Sequence, residues 1–426
     1  MWIQPAQFCI LTLMATVALT ELLGASVFDG TGKASGKVRE VALSPQEDPV
    51  RVMAFIVRTQ DGDRVLPLAA VNSVNGGVRA STGASDWSPL SGAEGMLLLE
   101  RDLLDQQIID VHGRKVVRVN DVELHHESDA GHAVLKVGGV DVGARGAVRR
   151  LLKGIVPMVA LRGLLRRLPP RNIPWEFVDL IETDPARRVK LKISHDRLAK
   201  LHPADIADIV EDLAPDEREA VFETLDEEVA AEALEEVEPK LQKSIVESLD
   251  SERVADIVEE MDPDAAADLL GDLPEDRTEE ILINMEPEER REMVELLEME
   301  ENTAGGRMTT DYLALPVTAK VNDAIEALRN FEGGVETVST VYLVASNGTL
   351  AGAVPLAKLV LAGTDSPLLS LTAEPLVYSP VEAQEKEFAE LFDKYNLVTL
   401  PVVDENLKLV GVITSDDVIA MLRSKL

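Results

Sequence analysis

Carboxylates are the side chains with the most chemistry to offer in this sequence. Residues 201–301 hold 37 Asp and Glu against 7 Lys and Arg. A hard cation such as Mg2+ takes carboxylate oxygens and keeps several waters, so one or two carboxylates suffice to hold it between two folded units. At so dense a negative charge, self-repulsion draws in divalent cations at least diffusely. A solvated acidic face is the plainer reading of a charge run. A second stretch, Gly411-Val-Ile-Thr414-Ser-Asp-Asp417, brings together a glycine, a hydroxyl and a carboxylate. Glycine lets backbone approach a ligand, and a hydroxyl and carboxylate at a helix N-terminus supply polar contacts to one. The alternative is that Thr414 caps the last helix. The histidines offer less. His125, His126 and His132 are expected in an exposed loop with no Cys or carboxylate framework around them. His195 and His202 flank the start of a helical segment, where Asp196 and Asp205 read as helix-start residues. No catalytic constellation is evident, and the expectation is that the chain is not an enzyme.

Composition narrows the field. The 426 residues carry a formal net charge of −34, most of it in residues 201–301. A chain this acidic is a poor general nucleic-acid binder, because phosphate backbones need a basic face. Aromatics are only 4%, which argues against base-stacking surfaces. The single cysteine, Cys9, excludes a disulfide framework and Cys-based zinc sites and fits a reducing compartment. The apolar stretch Phe8–Leu19 is shorter than the ~20 residues that span a bilayer. It reads as a strand or helix of the first domain.

The elements that must position these groups fall into three regimes. In the middle, apolar residues recur every 12 positions, as in Ile209, Val221 and Ala233, with partners one and four residues on. That spacing is one face of a helix. Pro215, Pro239, Pro263 and Pro287 recur every 24 residues, each suited to the first turn of a helix. The unit is a pair of short helices repeated about four times, stable only by stacking. The N-terminal region repeats at an offset of 81: Glu21–Val41 aligns with Asp102–Val122, each with an Asp-x-x-Gly hairpin turn, Asp29–Gly32 and Asp110–Gly113. In those turns Asp accepts local backbone bonds and Gly supplies a positive φ. A second echo pairs Arg64–Val74 with Arg171–Ile181, which leaves room for an insertion in the second copy. That insertion falls in Arg145–Leu168, where Arg149, Arg150, Lys153, Arg162, Arg166 and Arg167 flank an apolar middle. Such a segment can lie on an anionic membrane, but Pro157 interrupts it, and packing on its own barrel or on the acidic domain is the better reading. The C-terminal region repeats at an offset of 59, Thr340–Val360 against Thr399–Ile419, each copy strand, turn, strand, helix.

Thr399–Leu422 resembles the second half of a CBS motif, and the tandem pair resembles a Bateman module. Glu301–Pro316 resembles the lead-in to the CBS pair of MgtE magnesium channels. The 12-residue repeats resemble the acidic MgtE N-domain, a superhelix of short helices, and the duplicated β-unit resembles PRC-barrel domains. The resemblance implies a multidomain α+β chain: PRC-like β-barrels at 1–95 and 96–190, an MgtE N-domain-like helical repeat at 191–302, and CBS motifs at 303–365 and 366–426. It implies the regulatory half of a magnesium channel without the pore.

By the same resemblance, Gly411, Thr414 and Asp417 form a nucleotide-binding motif for ATP or AMP. In the first copy Gly352 is kept, while Pro355 and Lys358 replace the hydroxyl and the carboxylate. Asp264, Asp268 and Asp417 are the implied Mg2+ ligands, and two further acidic positions of the family fall on Asn396 and Ala420. The resulting expectation is a cytoplasmic Mg2+ sensor, homodimeric through its CBS motifs, signalling to a channel or another protein partner. The alternative is a non-sensing adaptor in which PRC-like and CBS domains dimerise and dock partners. The paired glycines near Thr303–Gly306 are the expected hinge between helical stack and CBS pair.

Overall fold

The structure, a computed structural model, describes residues 15–74, 76–91, 95–129, 132–152, 165, 169–182, 184, 195–300, 302–331 and 338–424. Cys9, most of Phe8–Leu19 and the basic residues Lys153, Arg162, Arg166 and Arg167 lie outside them. The chain divides into two compact units, 1–229 and 230–426. The fold is mixed α+β: β-rich at the N-terminus, helical in the middle, and a CBS-like α/β pair at the C-terminus.

In the first unit the two β copies share one core. Leu22, Val38 and Val41 are buried in it together with Leu103, Val119 and Val122, their equivalents 81 residues on. The second echo is also structural: strand Gly62–Pro67, turn Leu68–Ala70 and strand Val71–Ser73 match strand Asn172–Pro174, turn Trp175–Phe177 and strand Val178–Leu180. The copies are interlocked. Strand Ala15–Ala18 pairs with Asp121–Asp129, while Leu97–Leu98 pairs with Ala34–Ser44. Helix caps are exchanged as well. Glu40 accepts from the backbone N–H of Glu100 and Arg101, and Asp121 accepts from that of Thr20.

Both hairpin turns form, with one difference from expectation. Gly32 has φ +83°, and Asp29 accepts from the N–H of Thr31 and Lys33. In the second turn Gly113 donates to Asp110, but the left-handed residue is its neighbour Arg114, at φ +50°. The histidines depart further from expectation. His125 and His126 lie within strand Asp121–Asp129, paired with Lys136 and Leu135, and His132 opens the next strand. Adjacent strand residues face opposite sides of a sheet, so His125 and His126 cannot share an ion. His195 is buried beside Asp179, 3.4 Å away. The described start of the basic insertion, helix Ala144–Leu151, turns its arginines onto its own β-unit: Arg149 meets buried Asp121 at 2.6 Å, and Arg150 pairs with Asp105.

Eight helices follow between Pro203 and Leu297, and Pro215, Pro239, Pro263 and Pro287 each open one. Within the second unit, helix Ser251–Glu259 packs on Glu275–Asn284, and Pro263–Gly271 on Pro287–Leu297. Two carboxylates tie successive repeats: Glu235 accepts from Asp262 N–H at 2.7 Å, and Glu259 from Glu286 N–H. The apolar period weakens at the end. Val294 is exposed, and Leu296 is buried instead, in a core shared with Phe388, Leu400 and Met421. The last helix of the stack meets the second α/β half where a further repeat would otherwise pack.

The two α/β halves have equal registers. Thr340–Val344 runs antiparallel to Leu350–Pro355, with Thr340 opposite Pro355. Thr399–Val403 runs antiparallel to Leu409–Thr414, with Thr399 opposite Thr414.

Candidate functional site

A narrow cleft of about 30 Å3, partly open to solvent, lies between the helical stack and the α/β pair within the second unit. Two helix starts meet there. Asp262 immediately precedes helix Pro263–Gly271, without a capping side-chain bond, and Asp264 sits in its first turn; Asp416 and Asp417 occupy the first turn of Ser415–Ser424. Helix N-termini favour negative charge, which makes such a concentration of carboxylates tolerable. The opposite wall carries hydroxyls: Tyr342 donates to Thr399 Oγ1 at 2.9 Å, and Thr399 Oγ1 bonds Thr340 at 3.3 Å.

The electrostatics are those of an uncompensated anionic site. Burial, then the facing Asp417 and the neighbouring Asp262, raise the Asp264 carboxyl well above the usual carboxylate range. Burial also raises Asp417, against the bonds it accepts from Thr414. Asp262 is pushed up to about 6 by burial and then by Asp311, Asp417 and Asp416. Burial, then Asp262, takes Glu235 to about 7. A carboxylate cluster whose members hold their protons this firmly is short of positive charge. Among the described residues no three acidic, His or Cys side chains converge into a preformed metal centre.

The residues singled out in the sequence are only partly brought together. Asp264 and Asp417 face each other across the cleft. Asp268, one helical turn beyond Asp264, is paired with Arg307 and does not line the cleft. Thr414 lines it and donates its N–H to Asp417 at 2.9 Å. Gly411 does not line it. A Cβ there would lie 2.6 Å from Met308 Sδ and 2.9 Å from Thr309 O, so packing of the chain that crosses over it is enough to require glycine. In the first half Lys358 Nζ donates to Thr372 O at 2.9 Å. Asn396 is the left-handed C-cap of helix Glu385–Tyr395, at φ +53°, a position asparagine tolerates well. Ala420 is exposed.

The expected hinge is instead a strap fixed to the second half. Ala304 N–H donates to Ala383 O at 2.7 Å, Gly305 N–H to Val381 O at 2.9 Å, and Thr309 and Val412 exchange bonds of 2.8 and 2.9 Å. Gly305 serves close approach, since a Cβ there would lie 2.6 Å from Val381 Cγ1.

Sequence reasoning missed Asp262, Asp311, Thr340 and Thr399. The last two were visible as identical residues at the 59-residue offset, and Asp262 as the residue before a repeating proline.

Residues 201–302 match the family model of the MgtE intracellular N domain, and residues 371–424 that of the CBS domain. The magnesium transporter MgtE of Thermus thermophilus is 33% identical over 136 residues, 32% of this chain and 30% of that protein. That of Enterococcus faecalis is 30% identical over 131 residues, 31% and 29% of the two chains. The chain thus spans under a third of the length of these curated relatives. A crystal structure of the soluble part of a magnesium transporter superposes with a TM-score of 0.52 at 25% identity, covering 54% of this chain and 91% of that one. The cytosolic domain of the Mg2+ channel MgtE in complex with ATP gives 0.50 at 30% identity, covering 53% and 92%. No helix among the described residues is long and apolar enough to cross a membrane.

Proposed function

We propose that residues 230–426 form a cytoplasmic Mg2+ sensor of the type found in the soluble part of magnesium transporters, signalling to a protein partner. The observation that carries this reading is the facing pair Asp264 and Asp417, both with raised proton affinity. The donor set suits Mg2+: two carboxylates from the first turns of two different helices of the second unit. Binding would neutralise the cleft and stabilise the closed arrangement of helical stack and α/β pair. A homodimer fits the apolar residues left exposed on two helices, Val360 and Leu361 on one and Ile419 and Leu422 on the other. Calorimetric titration of Mg2+ tests the reading. A saturable component is expected for the wild type and its loss for Asp264→Asn and for Asp417→Asn. Identical isotherms in all three proteins refute the assignment.

An adenine nucleotide is the second ligand proposed for the same cleft. The hydroxyls of Ser339, Thr340, Thr399 and Thr414 that line it support this, as does the relative crystallised with ATP.

A further inference from the structure

Two carboxylate pairs bridge the helical stack and the second α/β half. Asp264 faces Asp417, and four residues along the same helix face Asp268 is joined through Arg307 to Glu385. In the second pair Arg307 Nη1 bonds Asp268, and its Nε lies 3.5 Å from Glu385 Oε1. Glu385 is only 8% exposed, so its carboxylate needs a nearby cation. Arg307 belongs to the strap, whose backbone is bonded to the second half on either side of it, at Ala304 and Gly305 and at Thr309, so the guanidinium is presented from a fixed base. A guanidinium stays charged at every accessible pH and can serve two carboxylates at once.

We propose that Arg307 is a tethered counter-cation that clamps helix Pro263–Gly271 to the second α/β half without any divalent ion, leaving Mg2+ to be read at Asp264 and Asp417 alone. The clamp rests on the sensor reading only for its second clause. One side of the interface is bridged permanently and the other reversibly. Binding of an ion then adds a second link across an interface that the guanidinium already holds closed, and the apolar core around Leu296, Met308 and Phe388 stays shut in either state.

Hydrogen–deuterium exchange on the full chain tests this, read on peptides covering 263–271 and 302–309. The wild type should be protected equally in Mg2+ and in chelator at matched ionic strength. Arg307→Ala should exchange about tenfold faster there in chelator, because the bridge between Asp268 and Glu385 is lost, and Mg2+ should restore protection. Peptides from 340–355 report whether the fold is intact. Glu385→Gln, which keeps the side-chain shape, should shift exchange in the same direction by less. Arg307→Ala as protected in chelator as the wild type overturns the clamp, and so does a wild type that loses protection in chelator. An Arg307→Ala protein that opens but is not reclosed by Mg2+ upholds the clamp and defeats the sensor reading.

Discussion

Thr414 holds Asp417 by two bonds to the same oxygen, its backbone N–H at 2.9 Å and its hydroxyl to Oδ2. The carboxylate is thereby fixed in the cleft, where it also hydrogen-bonds the Asp264 carboxyl, while burial works to keep it protonated.

Nucleotide binding should therefore depend on the carboxylate of the second half, Asp417, and not on Lys358, which takes its place in the first. Asp417→Ala is expected to weaken AMP or ATP binding roughly tenfold or more, the loss of a charged hydrogen-bond acceptor. Lys358→Ala should leave it unchanged, because that ammonium is spent on the Thr372 carbonyl. Equilibrium dialysis that finds equal losses in both variants would rule out a single-cleft site.

The effect of Mg2+ should grow with pH. Asp262, Asp264 and Asp417 have folded-state proton affinities above those of the unfolded chain. Such groups stabilise the fold fully below the unfolded pKa, and that contribution is lost as pH rises through the folded one, about 6 for Asp262. An ion that replaces the protons restores it. Millimolar Mg2+ should raise Tm more at about pH 8 than at about pH 5, and more than NaCl of equal ionic strength. Increments equal at both pH values would leave only screening.

Gly411→Ala separates packing from ligand contact. Its Cβ would press on Met308 and the Thr309 carbonyl, and the expected cost is about 1–3 kcal/mol of stability, visible by thermal denaturation without any ligand. A variant of wild-type stability that binds nucleotide poorly would instead place Gly411 at the ligand.

Signals confined to one turn and the internal repeats survived into the structure, whereas side-chain partners far apart in the chain were hard to read. The 24-residue prolines located helix starts because proline acts on its own turn. The Asp-x-x-Gly turns were legible for the same reason, although Arg114 took the left-handed role expected of Gly113. His125 and His126 read as loop because polar residues hid the strand that pairs them with Lys136 and Leu135. Asp264 and Asp417, which line one cleft, were singled out through a family pattern. Arg307 escaped notice because nothing in Gly-Gly-Arg-Met says which carboxylates it will meet. Those partners come from a helix 39 residues earlier and from another one far downstream.

The exchanged strands and caps of the N-terminal copies carry a consequence for assembly. Each copy lends its first strand and helix to the other, an arrangement two separate identical chains could adopt as a swapped dimer. Joining the copies in one polypeptide makes that association intramolecular, at an effective concentration set by the connecting segment. Folding of this region is then indifferent to how dilute the protein is. A single copy expressed alone would have to find its twin, and its melting temperature would rise with concentration.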